Sequence, residues 1–321
     1  MSSNKQSIIY AGVDVAKQTL EVSLMGQSHS LPNDKKGQGR LLRLLGKVPA
    51  RAAEPGLTLQ VVLEASGGYE SALVEVLQEA GWRVSVVQPG RVRHFAKAKN
   101  QLAKSDRIDA EVLVAFGEAI QPPPTPAPSA AQRHLCVLVR RRAQLVETRT
   151  VELNRAAHYR DKTLRQQARQ LLALLERQVA QCERAIRAQI AAEAELSQRT
   201  ARLEQVAGVG PVVAATLQAE MPELGSLSDG AAAALAGLAP FNRDSGPRQG
   251  TRCIWGGRAP ARRVLYLAAL TSVRHDPILR RFYQRLCAAG KKPLVALTAV
   301  MRKLIVLLNR LLKNPHFRLT H

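Results

Sequence analysis

Cysteine is scarce in this chain. Cys136, Cys182, Cys253 and Cys287 are the only four in 321 residues, widely spaced, with no CxxC pair and no histidine pair at zinc spacing. That argues against a disulfide framework and a structural zinc, and leaves four free thiols as the simplest reading. Long apolar runs are missing too: no stretch approaches the roughly 18 to 20 uninterrupted residues of a membrane span. The opening MSSNKQS also lacks the apolar core of a secretion signal. A cytoplasmic protein with no membrane partner is the expectation. Acidic residues are the third shortage, with 25 Asp and Glu against 47 Lys and Arg, a formal charge of +22 and a pI near 10.7. Such an imbalance predicts a polyanionic partner, nucleic acid first.

The deficit is uneven. Residues 1–120 hold 15 basic and 12 acidic residues, 121–205 hold 15 and 8, and 206–321 hold 17 and 5. The C-terminal third therefore reads as the main polyanion-facing part. A ribosomal or chromatin-type protein could be equally basic, but it has no need of a nearly neutral, strand-rich first third.

A chain of this length has room for two cores. The clearest seam is Gln121–Ala130, QPPPTPAPSA, where five prolines in ten residues cannot continue a helix or enter a sheet and favour an extended linker. Before it, residues 1–120 read as an α/β domain. SIIYAGVDV (Ser7–Val15) and TLEVSLMG (Thr19–Gly26) form a hairpin, and LTLQVVLEA (Leu57–Ala65) and WRVSVVQP (Trp82–Pro89) form buried strands. Tyr69–Ala80 is a helix between the last two, and another helix runs over about 106–120. After the seam, residues 131–205 contain no glycine or proline, and apolar residues such as Leu164, Leu171, Leu174 or Leu175, Val179, Cys182 and Ile186 recur at spacings of three, four or seven. That predicts a helical hairpin or coiled coil, either folded within one subunit or formed between subunits. Residues 206–321 make a mostly α-helical C-terminal domain. It opens on AGVGPVVAATLQA, where Gly208 and Gly210 suit a tight turn that offers backbone N–H groups to a phosphate, or an ordinary turn between helices.

The chemistry resides in carboxylates. Asp14 and Glu64 each stand at the end of a predicted strand, and Asp106 and Asp109 share one face at the start of a helix. Singly, Asp14 is a turn residue, Glu64 a cap and Asp106 an N-cap. Together they make an oxygen-only cage whose mutual repulsion is relieved by a hard cation, Mg²⁺ or Mn²⁺, suited to phosphodiester chemistry.

GVDVAK (Gly12–Lys17), LEASGGYE (Leu63–Glu70), KSDRIDA (Lys104–Ala110), LAGLAPFNRDSG (Leu235–Gly246), RRVLYLAAL (Arg262–Leu270) and LVALTAVMRKL (Leu294–Leu304) resemble the DEDD transposases. More narrowly they resemble the insertion-sequence family numbered one hundred and ten, which includes the Piv-type DNA invertases. The resemblance runs over nearly the whole chain in the right order. Ser105, where the third motif usually has Thr, is a departure that leaves every carboxylate in place. It implies a ribonuclease-H-like (RuvC-like) N-terminal domain with Asp14, Glu64, Asp106 and Asp109 as its four acidic residues. It also implies Ser245, followed by Gly246, as a C-terminal nucleophile; as a bare Ser-Gly in a polar loop it reads as a turn, with Ser66, Ser105 and Ser272 as competitors. Arg243, Arg248, Arg252, Arg258, Arg262 and Arg263 surround that serine in sequence, either binding the scissile strand and its developing charge or only holding backbone phosphates.

The expected activity is DNA transposition or recombination, Mg²⁺-dependent, by cleavage and rejoining through the serine. The resemblance further implies donor and target DNA as partners, a noncoding guide RNA from the element that bridges them, and a homo-oligomer, dimer or tetramer, associated with the nucleoid when on DNA. The competing readings are a RuvC-like junction-resolving nuclease, an RNA-independent invertase, and a nucleic-acid-binding protein with an inactive core; the presence of all four carboxylates argues against the last.

Overall fold

The structure is a computed structural model that describes residues 8–48, 58–101, 106–241, 253–314 and 316–317. It divides into two compact units, Met1–Ala127 and Pro128–His321.

The first unit is built on a five-stranded mixed sheet. Its elements are β1 (Ile8–Val15), β2 (Thr19–Leu24), β3 (Gln27–Pro32), α1 (Lys35–Gly46), β4 (Thr58–Glu64), α2 (Ser71–Glu79), β5 (Arg83–Val87), α3 (Pro89–Ala98) and α4 (Asp106–Ile120). The strand order is β3-β2-β1-β4-β5. β1, β2 and β3 form an antiparallel meander, whereas β4 and β5 join β1 in parallel. The β1–β2 hairpin, β4, β5, α2 and α4 lie where the hydrophobic pattern predicts them. β3, α1 and α3 are additions.

Strand periodicity sorts β1 onto two faces. Ala11, Val13 and Val15 pack with Leu41 and Leu45 of α1 and Leu73 and Leu77 of α2 in one apolar layer. Tyr10, on the other face, packs with Val62, Val92 of α3, and Val112, Leu113 and Phe116 of α4. Helices on both faces explain why β4 reads as a continuous apolar run rather than an alternating one.

On the second face α4 lies unusually close to β1. A Cβ added to Gly12 would come within 2.1 Å of the Ala110 carbonyl oxygen, and one added to Gly117 within 2.5 Å of the Tyr10 ring. Gly117 thus lies over Tyr10 and Ala110 over Gly12, so the helix runs antiparallel to the strand and its first turn reaches the level of Asp14.

The proline-rich segment begins pinned to this sheet. Gln60 Nε2 donates to the Pro122 carbonyl at 2.7 Å, and Ser85 Oγ reaches Pro122 and Pro123 at 3.1 and 2.9 Å. Thr125 then pairs with the free edge of β5, its N–H donating to Val84 O at 2.7 Å and its Oγ1 accepting from Val86 N at 3.0 Å. Extended backbone of the kind proline imposes here closes an edge strand that would otherwise expose unpaired backbone groups.

The second unit is helical. α5 (Ala130–Ala156) and α6 (Lys162–Ala192) form an antiparallel hairpin, each with a side-chain cap: Ser129 Oγ on Gln132 N, and Asp161 on Thr163 N and Leu164 N. Ala168, Leu175, Ile186 and Ile190 are buried along α6, whereas Leu164, Leu171 and Leu174 are exposed. α7 (Ala194–Leu203), α8 (Pro211–Glu220), α9 (Asp229–Leu235), α10 (Ala259–His275), α11 (Pro277–Ala288) and α12 (Pro293–Lys313) share one apolar core, with the two-residue strands β6 (Pro240–Phe241) and β7 (Cys253–Ile254) between α9 and α10. Buried Asn309 pins a loop to α12, accepting from Gly225 N at 2.8 Å and donating to Leu227 O at 2.9 Å.

Because the Gly12 clash falls on backbone, Gly12→Ala is expected to force α4 off the sheet. We expect a loss of about 1 to 3 kcal/mol, the usual scale of core overpacking, read by chemical denaturation. An alanine at Gly39, which has open space around it, serves as the tolerated control.

Candidate metal centre

The parallel strands β1, β4 and β5 end at one edge of the sheet, and the carboxylates gather there. Asp14 occupies an even-numbered position of β1, on the α4 face. Asp106 and Asp109, one helical turn apart, start α4 directly above it. Ligand oxygens of these three residues lie within 4.8 Å of one another, the only such group of three or more His, Cys, Asp or Glu among the described residues. Asp14 and Asp109 are half-buried and Asp106 is exposed.

Glu64 ends β4, the neighbouring strand. Val13 pairs with Leu63 in register, so Glu64 stands beside Asp14 at the same edge, and its position alternates with Val62 onto the α4 face. Its carboxylate is outside the 4.8 Å set. Three of the four expected acids are therefore already together, and the fourth occupies the adjacent strand end.

A further acid at this edge escaped the sequence reading. Glu21 pairs with Asp14 across the β1–β2 hairpin, and Ser30 Oγ donates to it at 2.5 Å. Cross-strand partners share a face, so the hairpin register was the signal that could have exposed it. Behind Glu64, the loop Ala65–Glu70 is preorganised. Gly67 and Gly68 take positive φ, and Glu70 Oε2 accepts from Ser66 N, Ser66 Oγ and Gly68 N at 2.9 to 3.0 Å. Ser66, a competitor for the nucleophile's role, is thereby tied into its own turn.

The donor set fits a hard cation. It is all carboxylate oxygen, with no thiol or imidazole, and the like charges repel unless a cation lies between them. Asp106 and Asp109 in the first turn of α4 also gain from the helix dipole, which helps hold the negative charge in place.

In the second unit, Ser245, Gly246, Arg243, Arg248 and Arg252 lie outside the described residues. The residues flanking that stretch are joined: Phe241 pairs with Cys253 and Pro240 with Ile254, so it leaves and returns at one point. The base is tight, since a Cβ on Gly257 would come within 2.2 Å of Gly237 N. Two of the arginines expected to face nucleic acid help build this base. Arg258 forms a two-pronged ion pair with Glu223 at 2.6 and 2.7 Å and donates to Glu220 O at 2.5 Å, and Arg262 donates to Gly256 O at 2.5 Å. Arg263 is exposed. Gly208, at φ +91°, is explained by packing: a Cβ there would come within 2.4 Å of Ser272 Oγ. Ser272 is itself fully buried and donates to Ala207 O at 2.5 Å and Ala268 O at 2.7 Å. Gly210 caps α8 and has open space around it.

The sequence divides between two family models. Residues 11–164 match a transposase model of the DEDD type, and residues 200–284 match the model for transposases of the IS116/IS110/IS902 family. The chain belongs to the IS110 family of DEDD transposases. It is a DNA transposase or recombinase, and membership brings with it DNA as the bound partner and use of a divalent metal ion. Among curated proteins, the pilin gene-inverting proteins of Moraxella bovis and Moraxella lacunata are each 25% identical to it, over 93% of this chain and 94% of their own length. An insertion element IS110 protein of 43.6 kDa from Streptomyces coelicolor is 33% identical over 42% of this chain and 34% of its own. No helix of the described residues is long and apolar enough to cross a membrane.

The Arg258–Glu223 pair sets a pH dependence. Burial pushes the Glu223 carboxyl up, but the hydrogen bonds and charge of Arg258 outweigh this and hold it below the ordinary value of 4.5. A carboxylate whose folded value is depressed stabilises the fold above the unfolded value and loses that contribution as pH falls through the folded one. Glu223→Gln should cost about 1 to 2 kcal/mol near neutrality by leaving Arg258 half-paired. It should also flatten the acid-induced loss of stability below pH 4.5, both read from denaturant titrations across the acid range.

Proposed function

We propose that this chain is the transposase of a mobile insertion sequence, cutting and rejoining DNA through Ser245 with the help of a divalent cation at the carboxylate edge. The observation that carries the proposal is the convergence of Asp14, Asp106 and Asp109 in a chain that belongs to a DEDD transposase family. The first unit's sheet, a three-stranded antiparallel meander extended by two parallel strands with α4 across one face, supports a ribonuclease-H-like, RuvC-like reading of its fold.

In this reading Asp14, Asp106 and Asp109 hold the cation, and Glu64 completes the set from the neighbouring strand end. Mg²⁺ or Mn²⁺ bound there supplies charge stabilisation for a phosphodiester under attack and lowers the proton affinity of a hydroxyl near it. Ser245 Oγ attacks the DNA phosphorus, the phosphorus bond to the leaving sugar oxygen breaks, and the serine's proton ends on the released sugar hydroxyl. The phosphoserine ester conserves the energy of the broken bond, so the reverse attack by a new sugar hydroxyl rejoins the strand without ATP. Arg243, Arg248, Arg252 and Arg263 hold the strand's phosphates around the serine, and Gly210 offers backbone N–H at the start of α8.

The partners in this reading are donor and target DNA, an element-encoded guide RNA that pairs with both, and further copies of the chain. The +22 charge is enough to hold more than one polyanion. Exposed Val151, Leu153, Leu164, Leu171 and Leu174 on the helical hairpin favour a homo-oligomer, dimer or tetramer. A second reading has its own support: the near full-length similarity to pilin gene-inverting proteins favours a site-specific invertase that acts at one fixed site without RNA.

Incubation with Mg²⁺, end-labelled DNA carrying the element's junction and RNA transcribed from its flanks, followed by denaturation, tests the proposal. Protein-linked DNA is expected from the wild type and from neither Ser245→Ala nor Asp14→Asn, while Asp14→Asn keeps full DNA binding. Adduct formation without RNA would favour the invertase, and cleavage with no adduct would replace the serine mechanism by hydrolysis.

A further inference from the structure

The near-neutral charge of the first 120 residues conceals a strongly polarised distribution. Between Glu79 and Asp106 there is no acidic residue, and that stretch carries six of the region's 15 cations: Arg83, Arg91, Arg93, Lys97, Lys99 and Lys104. Four of them fall on or just after α3. Val92, Phe95 and Ala96 turn inward, whereas Arg91, Arg93, Lys97 and Lys99 are exposed. Arg91 lies over the Phe116 ring at 5.6 Å and Lys99 over the Phe95 ring at 5.4 Å. Among the described residues, none of the four is paired with a carboxylate.

This is locally unfavourable. Arg93 and Lys97 are an i,i+4 pair of like charge, which destabilises a helix by a few tenths of a kcal/mol. In the second unit Arg140, Arg142, Arg258 and Arg310 are each paired with a carboxylate, of Glu220, Glu183, Glu223 and Asp229 respectively. Cations held together at a cost to the helix are a feature that a bound polyanion would offset.

The position of α3 identifies that ligand. Glu64 pairs in register with Val87, the last residue of β5, and α3 starts two residues later at Pro89. Val87 is therefore about one strand spacing, roughly 5 Å, from the end of β4 and roughly 10 Å from that of β1, and α3 begins two residues further on. A DNA strand presented to the carboxylates meets a concentration of negative charge, and the exposed cations of the helix that sets out from that edge offset the repulsion along the strand's path.

We infer that the exposed face of α3, with Arg93 and Lys97 at its centre, is a phosphate-binding surface that holds the backbone of the DNA strand presented to the carboxylate edge. The identity of that strand rests on the function proposed above. The existence of the phosphate contacts does not, and binding measured without divalent metal or cleavage separates the two.

The experiment compares the full-length wild type with Arg93→Gln/Lys97→Gln, titrating fluorescent junction DNA across a range of salt concentrations in EDTA. Each lost phosphate contact lowers the slope of log affinity against log salt by about 0.9 on duplex and 0.7 on single strands. The double variant should therefore lose up to about 1.8 or 1.4, with unchanged circular dichroism and a melting temperature no lower than the wild type's, because both side chains are exposed and their repulsion is removed. The charge-preserving variant Arg93→Lys/Lys97→Arg should keep the wild-type slope. A folded double variant with the wild-type slope overturns the inference, as does a slope that falls for RNA from the element's flanks and not for DNA. An Asp14→Asn protein that still cleaved would overturn the metal reading and leave the slope result standing.

Discussion

The close approach of α4 to β1 is the constraint on which the first unit depends. Two glycines make it possible, one on each partner: Gly12 admits the backbone of Ala110, and Gly117 admits the ring of Tyr10. With the helix lying on the strand at these points, its first turn is fixed over Asp14. The acids repel one another. Apolar burial around Val112, Leu113 and Phe116 supplies the compensating stabilisation from further along the helix. This arrangement separates the carboxylates from the groups that hold them, as a preorganised site requires.

Charge is handled differently in the two units. The second unit carries most of the excess, yet several of its arginines are engaged internally, and Arg258 and Arg262 brace the base from which the stretch containing Ser245 departs. The first unit is nearly neutral in sum and polarised in detail, with acids at the ends of β1 and β4 and cations along α3. Net charge per region therefore misjudges both: it overstates how many arginines of the second unit are free for a polyanion and understates the cationic surface of the first.

Much of the fold was legible where burial leaves a period in the sequence. β1, β2, β4 and β5 are apolar runs bounded by polar turns, and α4 begins on a D-x-x-D pair whose spacing matches one helical turn. Elements without that imprint were not. β3 reads QSHSLP and buries none of its residues fully; α1 includes Gly37 and Gly39, poor helix formers; and α3 opens on Pro-Gly and carries three Lys or Arg and no acid in its ten residues. On α6 the leucines at 164, 171 and 174 fit the expected spacing and face solvent, because the inward stripe follows Ala168, Leu175, Ile186 and Ile190 instead. Spacing alone does not tell a core stripe from its neighbour one residue round the helix. Gly208 was visible as an unusual residue, but the reason lay in a partner 64 positions later, Ser272, which no local pattern connects to it.

The carboxylate site was legible in its members but not in its degree of assembly. Asp14, Asp106 and Asp109 converge because a helix and a strand are locked together by packing; Glu64, at the end of the neighbouring strand, is outside the set. Glu21 sharpens the point. It is paired with Asp14 across the hairpin, and Ser30 donates to it, so one acid at this edge already has a hydroxyl partner within the fold. Asp14, Asp106 and Asp109 are where backbone geometry has concentrated like charge at this edge. The packing of the first unit thus holds a cluster of like charges whose mutual repulsion a divalent cation would relieve.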